Sequence, residues 1–358
     1  MSTNTLPDVL PLRPYLREMI WGGRRLGELY GKPLPDDQRI GESFEVSALP
    51  ERDSVVASGP LAGRGLAQLL TEYGSQLVGD AVTARYGADF PLLIKLIDAQ
   101  DDLSIQVHPD DAYAREHQLG VFGKTEAWVI LQSEGARIAL GLEDGVDQTS
   151  LSTAIATGTA EQAVCFQTVS PGDVVNLPAG TVHALCRGLV IYEVQQSSDI
   201  TFRLYDYNRP GLDGNKRELH VDHGLAVTDF EARPQPVKHI TSPGRTRLID
   251  AEYFCLDLIE DAPGQIDATH TFAAVTVVAG EVTIEAMVEG GGTTPQPVTF
   301  DMGTGAMCAQ CHNMRAGKNT VDSSIHHSHQ TEMILGVGGY HYDGESYPSS
   351  SHKHMDNA

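Results

Sequence analysis

Basic residues are scarce in this sequence. Lys and Arg together number 25 against 48 Asp and Glu, so the formal net charge is −23. A surface with this excess of negative charge repels nucleic-acid phosphates and anionic lipid headgroups, and we expect neither as a partner. If the ligand is an anion, its site must be a local cluster of basic side chains.

Long apolar runs and cysteines are scarce as well. No stretch approaches the roughly 20 apolar residues that a membrane-spanning helix needs, so we expect no membrane partner. The first eight residues contain neither a basic n-region nor an apolar h-region, which argues against export. Five cysteines, an odd number and mostly isolated, fit a reducing compartment and predict a cytoplasmic protein.

The residues that are abundant predict a mostly β protein with a few peripheral helices. Gly and Pro, 36 and 19 in number, punctuate many short Val/Ile/Leu-rich segments, a pattern typical of antiparallel barrels or jelly rolls. The run 91–97 is apolar apart from Lys95 and indicates a strand buried on both faces. One helix is predicted in each of the segments 66–86, 109–117 and 219–230.

One segment with chemical potential is 172–183, in which a Gly turn, a strand and a Pro-Ala-Gly turn precede His183. A histidine at such a strand start can point into a barrel, where an imidazole is a good ligand for a first-row metal. The same pattern also fits a hydrogen-bonded histidine of the core.

A second segment, 103–109, carries Gln106 and His108 two residues apart. Side chains at i and i+2 share one face of a strand, so both point the same way. A polar pair inside an apolar run must be satisfied, either by a metal or by hydrogen bonds at the strand end.

A third segment begins at Gly123. Glu126 opens a strongly apolar strand and shares a face with Trp128, so it lies inside if that face lines a barrel. A buried carboxylate needs a partner, and a metal cation is a good one. The alternative partner is Lys124, or solvent at the strand edge.

Together, these segments form a set of two histidines and one carboxylate. His108, Glu126 and His183 would lie on three strands of a predicted barrel, with Gln106 available as a fourth ligand. Zinc with open positions, non-haem iron and manganese all fit such a set.

A fourth segment, 192–209, is dense in polar and aromatic groups. Arg203 in this segment presents a fixed fork of donors that suits a phosphate or an oxyanion. The alternative is a surface salt bridge from Arg203 to Asp199 or Asp206.

These segments resemble the type I mannose-6-phosphate isomerases, in particular their short bacterial class. The resemblance runs in order over about residues 10–230. It rests on the segments Ile-Trp-Gly-Gly, Gly-Glu-Ser-Phe-Glu-Val-Ser, Phe-Pro-Leu-Leu-Ile-Lys, Gln-Val-His-Pro-Asp-Asp, Gly-Lys-Thr-Glu-Ala-Trp, Pro-Ala-Gly-Thr-Val-His and Ser-Asp-Ile-Thr-Phe-Arg-Leu-Tyr-Asp-Tyr-Asn-Arg.

The resemblance implies a cupin fold with two jelly-roll domains and one zinc ion per subunit. It places the zinc ligands on His108, Glu126 and His183, and in long-class relatives also on the position of Gln106. The family's catalytic arginine falls on Arg203.

Three further positions are implicated by the resemblance. Family proposals for proton transfer or phosphate contact touch Lys95, Lys124 and Asp199.

The domain organisation follows from the same comparison with the family pattern. We expect an N-terminal cupin domain with helical flanks and the active site at 1–240, and a smaller, incomplete cupin-like domain at 241–306. The remainder, 307–358, departs from the family pattern and holds half of the fourteen histidines. Its composition predicts an irregular tail that contributes nothing to catalysis.

The implied activity is the interconversion of mannose 6-phosphate and fructose 6-phosphate, with a phosphosugar as the small-molecule partner. There are two alternatives. An iron-dependent cupin dioxygenase could use the same ligand set, and a non-catalytic sugar-binding or storage cupin could dispense with Arg203 and the ligands. Lys95 and Lys124 inside otherwise apolar segments favour an anionic substrate and hence the isomerase. The sequence does not indicate an oligomeric state.

Overall fold

The structure, a computed structural model, is mostly β. It describes residues 6–239, 243–260 and 271–282 and the strand segments 286–288, 292–294, 300–311 and 333–336, with side chains up to residue 279. The strands in chain order are β1 Val9–Arg13, β2 Tyr15–Gly23, β3 Ile40–Val46, β4 Val55–Val56, β5 Leu92–Ala99, β6 Ile105–Val107, β7 Glu126–Ser133, β8 Arg137–Leu142, β9 Val164–Thr168, β10 Asp173–Leu177, β11 His183–Leu185, β12 Leu189–Gln196, β13 Phe202–Tyr205, β14 Val237–Lys238, β15 Gly244–Asp250, β16 Phe254–Glu260, β17 Ala273–Val282, β18 Ala286–Val288, β19 Gly292–Thr294, β20 Phe300–Cys311 and β21 Met333–Gly336.

The helices are short and lie between strands. They are α1 Arg25–Tyr30, α2 Leu66–Tyr73, α3 Ser75–Val78, α4 Asp80–Tyr86, α5 Asp111–Glu116, α6 Gln148–Thr157 and α7 Val221–Val227, with a 3-10 turn at Ala160–Gln162. In the described part of the chain, none of them is long and apolar enough to cross a membrane.

The strands form three larger sheets and one small hairpin. Sheet I has the order β14-β10-β7-β12-β5-β3-β2, and sheet II has the order β13-β6-β11-β8-β9. Sheet III has the order β15-β16-β20-β17-β21-β1-β4, and β18 pairs with β19. Sheets I and II are antiparallel throughout, whereas β21 runs parallel to both of its neighbours in sheet III.

Sheet I is buried on both of its faces. Its inner face packs against sheet II around a core that includes Trp128, Ile191 and Leu140. Its other face packs against sheet III and helices α2–α4, through residues such as Ile94 and Tyr192. This double burial accounts for the continuous apolar run in β5, all eight residues of which are buried, and confirms the prediction made for 91–97.

The helical prediction for 66–86 is wrong in one respect, because three helices replace one. Gly74 and Gly79 separate them, with φ angles of 51° and 87°. This left-handed region ends a helix and suits glycine, which has no Cβ to clash. The other two predicted helices are present as α5 and α7, and α5 begins with Asp110 accepting a hydrogen bond from the Tyr113 N–H.

Two strands lie where the sequence predicted an irregular tail. β20 continues past residue 306 to Cys311, and β21 at Met333–Gly336 is inserted between β1 and β17. The tail was predicted to be irregular because it lacks an alternation of apolar and polar residues. Strand pairing at the centre of sheet III does not require that alternation. The boundaries at 240 and 306 stay predictions, and the remaining residues of 307–358 lie outside the described part of the chain.

A buried ion pair outside the core of sheets I and II generates a stability prediction. Lys32 Nζ lies 2.6 Å from Glu45 Oε2 with both side chains fully buried, and Ser43 Oγ donates to Glu45 Oε1. Lys32→Met should lower the free energy of unfolding by about 3–5 kcal/mol, because the Glu45 charge stays buried without its ammonium. Chemical denaturation measures this loss.

The double variant Lys32→Met/Glu45→Gln is the control. It removes both charges and leaves an oxygen for Ser43, so most of the lost stability should return. A double variant as unstable as the single one would contradict the assignment of the loss to an unpaired charge.

Candidate metal centre and adjoining cavity

Strand register brings three of the predicted site residues into one row on sheet II. Gln106 on β6 lies opposite His183 on β11 on one side and opposite Arg203 on β13 on the other. Residues directly opposite each other on paired strands project from the same face. The row therefore presents an arginine, an amide and an imidazole side by side.

His108, Glu126 and His183 converge in space, as the sequence predicted. His183 Nε2 lies 3.3 Å from Glu126 Oε1, and His108 Nε2 lies 3.6 Å from Glu126 Oε2. One ligand atom from each residue lies within 4.8 Å of the others, and all three residues are buried. Glu126 projects from sheet I and the two imidazoles from sheet II and its end, so the cluster joins the two sheets.

Both imidazoles are held with Nε2 toward Glu126. His108 Nδ1 donates to the Ile200 carbonyl and His183 Nδ1 donates to the Thr181 carbonyl, each at 2.8 Å. Burial, and secondly the Lys124 charge, lowers the pKa of His183 to about 4 and that of His108 well below its usual value. Each ring is therefore neutral at neutral pH, with its Nε2 lone pair facing the cluster.

The donor set fits a divalent metal. Neither oxygen of the buried Glu126 accepts a hydrogen bond, although Lys124 Nζ lies 2.9 Å from Oε2. A buried carboxylate without hydrogen bonds, facing two Nε2 lone pairs, has the chemistry of a 2-His-1-carboxylate site. The sequence left open whether Glu126 meets a metal or Lys124, and the structure places Lys124 beside it while leaving its oxygens able to bind a cation.

Gln106 lies next to the cluster, but its amide nitrogen and not its oxygen faces His183. Its Nε2 lies 3.3 Å from His183 Nε2, and its Oε1 accepts a hydrogen bond from Ser104 Oγ. The amide must turn over before its oxygen faces the cluster. Its assignment as a fourth ligand stays a prediction.

A cavity of about 450 Å³ adjoins the cluster. Gln106 and Lys124, which touch the cluster, also line the cavity. The charged side chains and histidines of its wall are Arg17, Lys95, Lys124, Arg203, Arg217, His220, His223, Glu42, Glu193 and Asp199. Cations outnumber carboxylates in this list, which meets the expectation of a local basic cluster within an acidic chain.

Lys95 is fixed in the cavity wall by two carboxylates. Its Nζ lies 3.1 Å from Glu42 and 3.3 Å from Glu193, and it stacks over the Phe44 ring at 4.9 Å. Burial alone would lower the pKa of Lys95, but Glu42 and Glu193 outweigh it and raise the pKa above its usual value. Lys95 therefore carries a permanent positive charge.

Glu193 links Lys95 to Trp128 within sheet I. It lies opposite both Lys95 and Trp128 in sheet I, and its Oε2 accepts a hydrogen bond from Trp128 Nε1 at 3.0 Å. The Trp128 ring in turn packs edge-on against His183 at 5.4 Å. The lysine and the metal-ligand cluster are thus linked by direct contacts.

Asp199 bridges two arginines at the cavity mouth. It pairs with Arg52 and lies 3.8 Å from Arg17. Burial would raise the pKa of Asp199, but Lys95, Arg17 and Arg52 together lower it. Asp199 is therefore ionised at neutral pH and committed to these arginines.

Arg203 does not form either of the salt bridges considered from the sequence. Its Nη1 donates to the Glu218 carbonyl at 2.8 Å, while its buried Nε has no hydrogen-bond partner. Among the residues that the structure describes, no carboxylate lies within ion-pair distance of Arg203, because Asp206 is paired with Arg209 and Arg217. Burial, followed by the Arg217 charge, lowers the pKa of Arg203.

The sequence did not single out several cavity residues. Arg17, Glu42, Glu193, Arg217 and His220 come from strands and loops far apart in the chain. Glu42 and Glu193 carry one usable signal, since each is a charge within an otherwise buried strand and must therefore find a partner. Arg17 and Arg217 carry none, because charged residues of this kind are normal on any surface.

Local contacts fix the turns that precede Glu126 and His183. Gly123 packs so closely on the preceding loop that a Cβ there would lie 2.3 Å from the Asp110 carbonyl carbon. The Lys124 N–H donates to the Pro109 carbonyl, and the Gly180 N–H donates to the His108 carbonyl, each at 2.9 Å. Both turns are thereby fixed directly to the end of β6.

The chain is similar to known proteins over most of its length. Residues 9–121 match the family model described as "Phosphomannose isomerase type I, catalytic domain". A mannose-6-phosphate isomerase of Bacillus subtilis is 36% identical over 280 residues, which is 76% of this chain and 86% of that protein. A mannose-6-phosphate isomerase of Streptococcus mutans is 40% identical over 223 residues, covering 62% of this chain and 68% of that protein.

A solved structure gives a similar result. The crystal structure of the mannose 6-phosphate isomerase from Bacillus subtilis superimposes with a TM-score of 0.67 at 29% sequence identity. The match covers 83% of this chain and 98% of that one. The two chains therefore share an architecture over nearly the whole length of the solved protein.

The close approach of Gly123 generates a prediction. Gly123→Ala should lower the melting temperature and weaken divalent-metal binding, because the new methyl group meets backbone atoms that cannot move without shifting His108 or Glu126. Overpacking of this kind typically costs about 1–3 kcal/mol. Thermal unfolding and elemental analysis measure the two effects.

Gly120→Ala is the matched control in the same loop. A Cβ at Gly120 comes no closer than 3.5 Å to its nearest neighbour, Ile200 Cδ1. This variant should unfold and bind metal as the parent does. Equal behaviour of the two variants would show that the Gly123 contact does not position the cluster.

Proposed function

The chain belongs to the type I phosphomannose isomerase family, and we propose that it interconverts mannose 6-phosphate and fructose 6-phosphate in the cavity beside His108, Glu126 and His183. The observation that carries this proposal is the buried 2-His-1-carboxylate cluster, which contacts Gln106 and Lys124 in the wall of a cavity rich in arginine and lysine. An acidic chain that concentrates cations at one cavity is suited to an anionic sugar phosphate.

The reaction moves a proton between C1 and C2 of the open-chain sugar through an enediol(ate). Such a reaction needs groups that donate and accept protons, and positive charge where the oxyanion develops. We propose zinc, one ion per subunit, held by His108, Glu126 and His183 with Gln106 as an additional ligand. When bound, the metal supplies Lewis-acid polarisation of the sugar oxygens.

Arg203 is proposed as the cation that stabilises the developing negative charge. It lines the cavity in the same row as Gln106 and His183, and among the described residues no carboxylate forms an ion pair with it. Its guanidinium offers planar, paired donors that suit an oxyanion or phosphate.

The two lysines are proposed to have different roles. Lys95 is buried between Glu42 and Glu193, so we assign it a fixed positive charge and no proton transfer. Lys124 Nζ lies 3.0 Å from His108 Nε2 and also lines the cavity, so its ammonium is placed to hold a proton between the cluster and a sugar oxygen. Asp199 is proposed to orient Arg17 and Arg52 at the mouth.

A cupin architecture is proposed for the chain as a whole. Sheets I and II enclose one core and would form the first jelly roll within 1–240, with the metal ligands inside it. Sheet III would belong to the smaller domain at 241–306, extended by β21 and by β1 from the N-terminus.

Family membership removes the support for the two alternatives. An iron-dependent dioxygenase could use the same ligand set, but its reaction does not require the cations that line the cavity. A non-catalytic sugar-binding protein has no need for a metal-ligand cluster or for Arg203. Oxygen uptake by the iron-loaded protein would be the result that favours the dioxygenase.

The activity is tested by a coupled assay. Metal-loaded protein should convert mannose 6-phosphate to fructose 6-phosphate, and a chelator should abolish the conversion until a divalent metal is restored. Folded, metal-loaded protein without turnover would contradict the proposed activity.

Metal binding is tested separately from activity. His108→Ala, Glu126→Ala and His183→Ala should each lose most of the bound metal, because the cluster has no spare imidazole or carboxylate among the described residues. Elemental analysis of the purified variants measures the stoichiometry. Undiminished metal in all three would mean that the ion binds elsewhere.

The role of Arg203 makes a distinct prediction. Arg203→Ala should lower kcat by about 100-fold or more at normal metal content, because the charge it stabilises exists only in the transition state. Arg203→Lys should recover little, since an ammonium lacks the paired donors of the guanidinium. A raised KM with unchanged kcat would assign Arg203 to ground-state phosphate binding instead.

A further inference from the structure

The loop that follows β13 turns back onto Arg203. The His220 N–H donates to the Arg203 carbonyl at 2.8 Å, and the Arg203 N–H approaches His220 Nδ1 at 3.3 Å. The Glu218 carbonyl accepts the hydrogen bond from Arg203 Nη1 at 2.8 Å. Both the backbone and the guanidinium of Arg203 are therefore held by residues 218–220 of the returning loop.

The returning loop is itself held by one buried carboxylate. Asp206, 4% exposed, accepts hydrogen bonds from Arg217 Nε at 2.7 Å and from Arg217 Nη2, in a fork-like geometry. It also accepts from Arg209 Nε and Nη2, at 3.2 and 3.0 Å. Arg217 directly precedes Glu218, so the ion pair with Asp206 fixes the backbone whose carbonyl orients Arg203.

The backbone after Asp206 is strained to make this geometry possible. Tyr207 and Asn208 have φ angles of 56° and 53°, in the left-handed region that non-glycine residues rarely adopt. Such strain persists only where surrounding interactions outweigh it. Asp206 and Arg209 lie directly before and after the strained pair, so their hydrogen bonds to each other hold it closed, while Arg217 anchors Asp206 from the returning loop.

We propose that Asp206 is a positioning residue for Arg203, which it orients through its ion pair with Arg217 and the adjacent Glu218 carbonyl. Asp206 does not line the cavity, so it acts without touching the substrate. The inference rests on the proposed role of Arg203 in the isomerase reaction. Without the ion pair between Asp206 and Arg217, the guanidinium of Arg203 would be free to turn away from the reacting oxygens.

The first test replaces the carboxylate by its isosteric amide. Asp206→Asn should lower kcat about 10- to 100-fold with little change in KM or metal content, because a misdirected guanidinium loses transition-state contacts first. Asp213→Asn is the matched control, since Asp213 lies in the same loop, is exposed and bonds only to Asn215. The control should retain parental kcat.

If Asp206→Asn does not fold, Arg217→Lys provides the same test. This variant keeps a positive charge at the cavity wall but cannot form the fork with Asp206. The same fall in kcat without a rise in KM supports the inference. Parental kcat in either folded variant overturns it.

A double variant separates positioning from a general structural effect. In the Arg203→Ala background, Asp206→Asn should change kcat by less than about threefold, because the residue through which it acts is already gone. Losses that multiply would show that Asp206 acts by another route and would overturn the inference. If Arg203→Ala alone retains parental kcat, the proposed role of Arg203 fails, which is distinct from a failure confined to Asp206.

Discussion

The site depends on the burial of one carboxylate, Glu126. Its charge is removed from water at the start of β7, where neither oxygen accepts a hydrogen bond. An isolated buried carboxylate is strongly unfavourable, so its surroundings must supply positive charge. The two neutral imidazoles carry no positive charge, and the ammonium of Lys124 supplies part of what Glu126 needs. A divalent cation bound by the three ligands would supply the rest, so the charge balance of the cluster suits a candidate metal site.

The register of the strands places the polar residues around Glu126 on the inner faces of sheets I and II. Lys95, Glu193 and Trp128 lie opposite one another across sheet I, whereas Arg203, Gln106 and His183 lie opposite one another across sheet II. A shift of one residue in any of these strands would send its polar side chains to the opposite face. The apolar residues on the other face of sheet I pack against sheet III and the helices, so such a shift would also bury charge in that core. The core therefore fixes the site.

Much of this arrangement was predictable from the sequence, because its signals are local. The i, i+2 spacing of Gln106 and His108, the Pro-Ala-Gly turn before His183 and the strand opened by Glu126 each define a side-chain direction without long-range information. Their convergence also follows once the strands are taken to form one barrel. The register of particular pairs, such as Glu193 with Lys95, depends on strands about a hundred residues apart and leaves no local signal.

The errors have equally physical causes. The segment 66–86 has helical composition throughout, but Gly74 and Gly79 each adopt φ angles that end a helix, so composition averaged over the segment predicted one helix too long. β21 was missed because strands inside a sheet are stabilised by neighbours on both sides and need little pattern of their own. From the sequence, Asp206 was considered only as a possible salt-bridge partner of Arg203. Its role emerges only when the returning segment at 217–220 is placed in space.

Ion pairing also decides which cavity cation is available to an anionic substrate. Arg17 and Lys95 share Glu42, Lys124 lies against Glu126, and Arg217 is committed to Asp206. A carboxylate within about 3 Å offsets part of the charge of each of these four cations. Within the described part of the chain, Arg203 alone among the five lining cations has only a carbonyl oxygen as the partner of its guanidinium. A carbonyl orients the guanidinium without neutralising it, so the full charge of Arg203 remains directed at whatever negative charge develops in the cavity.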